Sequence, residues 1–286
     1  MTMNVAVIGS CLSNLTAIKL VQDYQFKRIC NVAHNRSDCF INSFLDKKKE
    51  QVSLHELENT FVFKADKHEI GWQILKNQYR PYLGQHELPN VKPFLDIEEG
   101  GIDLFILDNF MDVAARLVRF KNKSEYFPFF INQDFLEQGD AELEIVDFLD
   151  VESSVANWKQ IVDSLKILHP RARFVFLSFQ YATLVNKQDR FDRSRAFSKI
   201  MSDYFSNTDI MFIPSLITEP ELTMGVEDWA HFNQAIYKAL AGVIFLNVTT
   251  RSEIPVKSIF NQFDFVEIEN YQNALQNLCQ GGECAK

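Results

Sequence analysis

Short apolar runs alternate along this chain with segments whose apolar residues recur at helical spacing. Val5-Ala6-Val7-Ile8 predicts a strand over 4–9, and Leu15, Ile18 and Leu20-Val21 predict a helix over about 13–24. Lys27 to Ala33 reads as a second strand, ending in the polar loop His34-Asn35-Arg36-Ser37. Ile102 to Leu107 predicts a strand that stops at Asp108-Asn109. Val155, Trp158, Ile161-Val162, Leu165 and Ile167-Leu168 predict a helix over 153–168, halted by His169-Pro170. Arg173 to Ser178 is a buried strand, 193–205 a helix, and 209–213 a last core strand closed by Pro214. A helix over 232–246 carries Phe232, Ile236, Leu240 and Val243-Ile244 on one face. Strands alternating with helices predict an α/β fold with a parallel sheet covered on both faces. Ligands of such sheets bind outside the carboxyl ends of the strands. Ser10/Cys11, the His34–Ser37 loop and Asp108/Asn109 fall at those ends.

The remaining stretches set the domain organisation. Residues 40–100, with helices near 50–58 and 66–78 and prolines at 81, 89 and 93, read as an insertion and a candidate lid. The segment 110–150 is aromatic and acidic around Tyr126-Phe127-Pro128-Phe129-Phe130. It is either core or a surface for a partner or a second copy. The expected division is one domain over 1–249 and an extension over 250–286 packed on it, with a helix near 269–278.

Composition narrows the classes. The net charge of −9 argues against a nucleic-acid binder. Lys47-Lys48-Lys49, followed by Glu50, reads as a solvated surface. No run is long and apolar enough to span a membrane, and the first residues lack a signal-peptide pattern, so a cytoplasmic location is expected. Five irregularly spaced cysteines imply reduced thiols. Cys279 and Cys284 have no second pair at zinc spacing, so no metal is expected.

Common motifs are absent, including the glycine-rich dinucleotide and phosphate loops. His-Glu pairs occur at 55–56, 68–69 and 86–87, none with a second histidine at helical spacing, and these histidines are expected at the surface. Two stretches carry chemistry. Gly9-Ser10-Cys11 ends the first strand and opens a helix, the layout that presents a nucleophile above a parallel sheet. Gly9 can take the backbone angles of such a turn. The simpler reading is a helix capped by the serine. Asp228-Trp229-Ala230-His231 places a carboxylate where it can hold Nδ1–H while Nε2 faces a nucleophile. The simpler reading makes Asp228 a helix cap and His231 a first-turn surface residue. Together the two stretches favour an active site.

In this order the motifs resemble the SGNH (GDSL-type) hydrolase superfamily. Gly9-Ser10-Cys11-Leu12-Ser13 stands where that family has Gly-Asp-Ser-Leu-Ser, Leu107-Asp108-Asn109-Phe110 where it has Gly-x-Asn-Asp, and Asp228-Trp229-Ala230-His231 matches its Asp-x-x-His block. Cys11 occupies the serine position and Ser10 the aspartate position, as in the Gly-Ser-Cys (GSCFA-like) and capsule-polysaccharide acyltransferase-like proteins. The second-block glycine has no clear counterpart, and Leu107 replaces that of the third block. The resemblance implies a three-layer α/β/α, flavodoxin-like sandwich and an esterase or O-acyltransferase acting on an acylated small molecule or glycoconjugate. Cys11 or Ser10 would attack, with position favouring Cys11; His231 would act as base and Asp228 would orient it. Asn109 and a backbone N–H from Asn35, Arg36 or Ser37 would bind the oxyanion. A thiol at a helix N-terminus beside a histidine is a good nucleophile and leans toward thioester exchange or acyl transfer. No cofactor or metal is required, and acyl-CoA is a candidate acyl donor. The departures also fit a catalytically degraded binding protein on the same scaffold in polysaccharide biosynthesis.

Overall fold

The computed structural model describes residues 2–137, 142–179, 181–182, 188–213, 217–218, 224 and 231–249. The chain begins with β1 (Met3–Gly9), α1 (Cys11–Asp23), β2 (Phe26–Ala33), α2 (Ser37–Phe40), α3 (Leu54–Thr60) and α4 (His68–Lys76). β3 (Leu104–Asp108), α5 (Phe110–Ala114), β4 (Leu117–Phe120), β5 (Leu143–Val146) and α6 (Val151–Leu168) follow. β6 (Arg173–Leu177), β7 (Tyr181–Ala182), α7 (Gln188–Phe205), β8 (Met211–Ile213), β9 (Ile217–Thr218) and α8 (Gln234–Thr249) complete the described elements.

Five strands form one parallel sheet in the order β2-β1-β3-β6-β8. Numbered among the sheet's own strands this is 2-1-3-4-5, the flavodoxin-like doubly wound order. The two-residue period of a strand sends alternate side chains to opposite faces. Val5, Val7, Leu104, Ile106, Val175, Leu177, Met211 and Ile213 meet α1 and α8 on one face. Ala6, Ile8, Phe105, Leu107, Phe174, Phe176 and Phe212 meet α6 and α7 on the other. Both faces are buried, which is why the strands read as nearly continuous apolar runs. The chain leaves β1 for β2 on one side and returns to β3 on the other. The switch point therefore lies between the ends of β1 and β3, where Ser10/Cys11 and Asp108/Asn109 sit.

Helix α1 begins at Cys11, two residues before the expected start, because the Ser10 side chain caps it by accepting from Leu12 N–H. The insertion builds a second core with the segment after β3. Leu57, Phe61, Phe63, Leu75 and Tyr79 pack with Val118, Phe120, Phe129 and Ile131. Phe129 is therefore core and pairs with Val118. The loop after α4 zips onto β2, with Asn31 N–H donating to Gly84 O and His86 N–H to Asn31 O. This covers the β2 edge of the sheet. Lys47, Lys48 and Lys49 are exposed, and Lys47 pairs with Glu50 at 2.7 Å. No helix among the described residues is long and apolar enough to cross a membrane. The extension 250–286, with Cys279 and Cys284, lies outside the described residues.

Candidate active site

The turn after β1 is organised by Asp108, at the end of the neighbouring strand. Its Oδ2 accepts Ser10 N–H (2.8 Å), Ser10 Oγ–H (3.0 Å), Ser13 N–H (3.0 Å) and Ser13 Oγ–H (2.5 Å), and its Oδ1 accepts Phe110 N–H (3.0 Å). Burial pushes the Asp108 carboxyl up, and these hydrogen bonds pull it back toward the ionised form. The arrangement also explains Gly9. Its φ is not in the left-handed region; a Cβ there would lie 2.4 Å from Asp108 Oδ2 and 2.6 Å from Ser13 Oγ. Close approach, not an unusual backbone angle, requires the glycine. Ser10 is buried, and its hydroxyl both caps α1 and donates to Asp108. Cys11, the first residue of α1, is half-buried.

Asn109 is fully buried beyond β3. Its Oδ1 accepts Phe179 N–H at 2.7 Å, while its Nδ2 has no partner among the described residues. An orphaned buried donor at a strand end suits an acceptor brought by a ligand. The loop after β2 differs from the sequence expectation. Ser37 N–H donates to Asp112 Oδ1 at 2.8 Å and its hydroxyl to Asp112 Oδ2 at 2.6 Å, so the Ser37 donor is already committed. The Arg36 side chain forks onto Asp38 and donates to Asp147 O. Asp112 also accepts from Ser154 Oγ and Trp158 Nε1, and burial pushes it up to about 6. It anchors this loop to α6.

His231 is half-buried and lies ahead of α8, which starts at Gln234 and is capped by Asn233 Oδ1 accepting Ala235 N–H at 3.0 Å. It is therefore not a first-turn surface residue. Asp228 lies outside the described residues. Two histidines with no catalytic role in the sequence reading, His34 of the loop after β2 and His86 of the third His-Glu pair, join this region. His34 follows β2 with φ +57°, and its ring meets that of His86 edge-on at 5.3 Å between centroids. Burial, then the charges of His86 and His231, push His34 down to about 3. His86, expected at the surface, is 4% exposed, and its Nδ1 has no partner among the described residues. The reason is the zipper onto β2, which carries the loop against the sheet. His55 and His68 are exposed. No three His, Cys, Asp or Glu side chains among the described residues group as metal ligands.

The fold and this turn define a doubly wound α/β protein with a polar site at its switch point. No family model matches the chain, and no curated protein matches it. Among solved structures it is similar to a family two carbohydrate esterase from Clostridium thermocellum in complex with cellohexaose, at 9% identity and a TM-score of 0.44. That match covers 87% of this chain and 64% of the esterase chain, so this chain spans less than two thirds of that relative. It is also similar to an extracellular lipase from Streptomyces rimosus (9% identity, TM-score 0.38, 90% of this chain and 98% of the lipase). An acetyl xylan esterase from Butyrivibrio proteoclasticus matches at 9% identity and a TM-score of 0.35, over 85% of this chain and 63% of that one.

Proposed function

We propose that the protein is an acyl-transfer enzyme, an esterase or an O-acyltransferase, with Cys11 as nucleophile, His231 as base and Asp228 orienting the base. The observation that carries this reading is the division of labour in the turn. Ser10 is buried and committed to the cap and to Asp108, while Cys11 is the half-buried first residue of α1, at the helix N-terminus. In the reaction the Cys11 thiol gives its proton to His231 Nε2, and the sulfur attacks the acyl carbonyl carbon. Cys11 N–H and Asn109 Nδ2 stabilise the oxyanion. The tetrahedral species expels the alkoxide or thiolate leaving group, which takes the proton from His231. Water or a sugar hydroxyl, deprotonated by His231, then attacks the thioester and frees Cys11. The acyl donor is an acylated small molecule or glycoconjugate, or acyl-CoA, and no metal takes part.

Turnover of activated acetyl esters and of acetyl-CoA tests the reading. His231→Ala and Cys11→Ala should each abolish turnover while the circular dichroism spectrum stays native. Full activity in Cys11→Ala with loss in Ser10→Ala would move the nucleophile to Ser10. A second reading is a non-catalytic binding protein, favoured by Leu107 in the glycine position and by the committed Ser37 N–H. Ligand binding by wild-type protein with no turnover on any acyl donor would establish it.

A further inference from the structure

Segments far apart in the chain bring two arginines to one aromatic ring. Phe148, between β5 and α6, is half-buried, and the guanidinium carbons of Arg193 and Arg116 lie 3.8 Å and 4.5 Å from its ring centroid. Arg116 follows α5, and Arg193 lies in the second turn of α7. Arg190, one turn earlier on α7, adds a third positive charge close enough to act on Arg193. The cluster is tied to the candidate site from two sides. Only the short helix α5 separates Arg116 from Asn109. Ser194, next to Arg193, donates to Phe179 O at 2.8 Å, and Phe179 N–H is the donor to Asn109 Oδ1. Arg36 Nη1 donates to Asp147 O at 2.9 Å, which fastens the loop after β2 to the residue before Phe148.

These positive charges are undermatched. Arg116 is exposed and makes no ion pair or hydrogen bond among the described residues. Arg193 has one carboxylate, the exposed Asp189 at 3.3 Å, and its Nε is buried with no hydrogen-bond partner among the described residues. The acids of the adjoining segments are engaged elsewhere: Asp150 caps α6 by accepting Ser153 N–H, and Asp38 holds Arg36. Burial pushes the Arg193 guanidinium down from its ordinary value, Asp189 pulls it up, and the charges of Arg190 and Arg116 push it down again. Like charges gathered around one exposed counter-ion repel one another, and a bound anion would relieve that repulsion.

The ring contact also selects the anion. A guanidinium over a ring uses its face and leaves its in-plane N–H edge for an acceptor. An acyl chain or a neutral sugar offers no charge to these edges, and the two oxygens of a carboxylate fill one fork. A phosphate carries several oxygens around one centre and can accept from two guanidinium groups at once. The whole chain carries a net charge of −9, so the positive spot is local and suits one such group rather than a polyanion.

We propose that Arg116 and Arg193, set on Phe148, form an anion site that holds a phosphate group of the substrate on the Asn109 side of the candidate active site. The site rests on the acyl-transfer reading for its purpose and narrows its substrate: the acyl donor or the acceptor is a phosphate ester. An acyl thioester on a phosphorylated carrier and a sugar phosphate share this chemistry.

Isothermal titration calorimetry on the intact protein compares ligands that differ in the phosphate: acetyl-CoA against S-acetylpantetheine, and glucose 6-phosphate against glucose, with inorganic phosphate as the minimal probe. In at least one pair the phosphate-bearing member should bind about tenfold or more tightly than its partner, alike in wild type and Cys11→Ala. The pair that shows the preference identifies the donor or the acceptor as the source of the phosphate. Arg116→Ala, at an exposed position, should weaken that binding about tenfold. Arg193→Lys, which keeps the charge and loses the fork, should weaken it measurably. No phosphate preference in either pair overturns the proposal; inorganic phosphate bound under that condition is an adventitious ion only. Unchanged affinity in both Arg116→Ala and Arg193→Lys overturns it as well. Phosphate preference that depends on the arginines, in a wild type that turns over no acyl donor, leaves the site standing and refutes the acyl-transfer reading instead. Turnover of p-nitrophenyl acetate with no phosphate preference refutes the site and leaves that reading intact.

Discussion

Replacing Asp108 probes the turn most sharply. In Asp108→Ala five donors lose their acceptor. The two serine hydroxyls can rotate, and Ser13 Oγ already lies 3.3 Å from Ser10 O. The backbone N–H groups of Ser10, Ser13 and Phe110 cannot. At about 1–3 kcal/mol for each buried donor left unsatisfied, and with partial relief from water, the cost is about 3–5 kcal/mol. Asp108→Asn is milder. Its amide oxygen can face Ser10 and Ser13 while its NH2 meets Phe110 N–H, so one bond is lost and two donors oppose each other, for about 1–3 kcal/mol. Urea denaturation monitored by circular dichroism measures both, provided the slope matches wild type. The Asn variant should remain folded yet lose about tenfold to a hundredfold in kcat/KM, because a small shift of α1 misplaces Cys11. An Ala variant within about 0.5 kcal/mol of wild type, with normal turnover, would refute the claim that Asp108 builds the site.

Gly9→Ala should cost about 1–3 kcal/mol by urea denaturation, through the clash of its Cβ with Asp108. Asn109→Ala should lower kcat about a hundredfold or more with little change in KM, as expected of an oxyanion donor; a pure KM effect would remove that role. His34, held at about 3, refuses a proton that the unfolded chain takes near its ordinary 6.5. Its contribution is present above about 6.5 and is lost as pH falls toward 3, amounting to about 2 kcal/mol by pH 5. Asp112, pushed up to about 6, works in the opposite sense, its contribution falling as pH rises through that value. The check is therefore the difference between wild type and His34→Gln, which should narrow as pH falls from 7 to 5.

The doubly wound sheet was legible because its strands are buried on both faces and its helices carry periodic apolar stripes. The Ser10/Cys11 turn was legible because strand, glycine and helix are contiguous in the chain. Asp108 was visible only as a strand end; its partnership with Ser10 spans 98 residues, and no local pattern encodes it. His86 read as surface because its burial depends on Asn31 accepting and donating across the β2 edge. The two helices of the insertion were anticipated near 50–58 and 66–78 and form at Leu54–Thr60 and His68–Lys76. Their core was not anticipated, because four of its ten buried residues come from Val118 to Ile131. The positive φ at His34, at the end of β2 where a glycine was sought, was equally silent in the sequence.

The central claim is that Cys11 carries an acyl group. Intact-protein mass spectrometry after brief exposure to p-nitrophenyl acetate, quenched in acid and followed by peptide mapping, tests it directly. The account predicts one added acetyl group on the peptide containing Cys11, removed by hydroxylamine, absent in Cys11→Ala and strongly slowed in His231→Ala. An acetyl group on Ser10 in the wild type, or equal labelling of the Cys11→Ala protein, would contradict it.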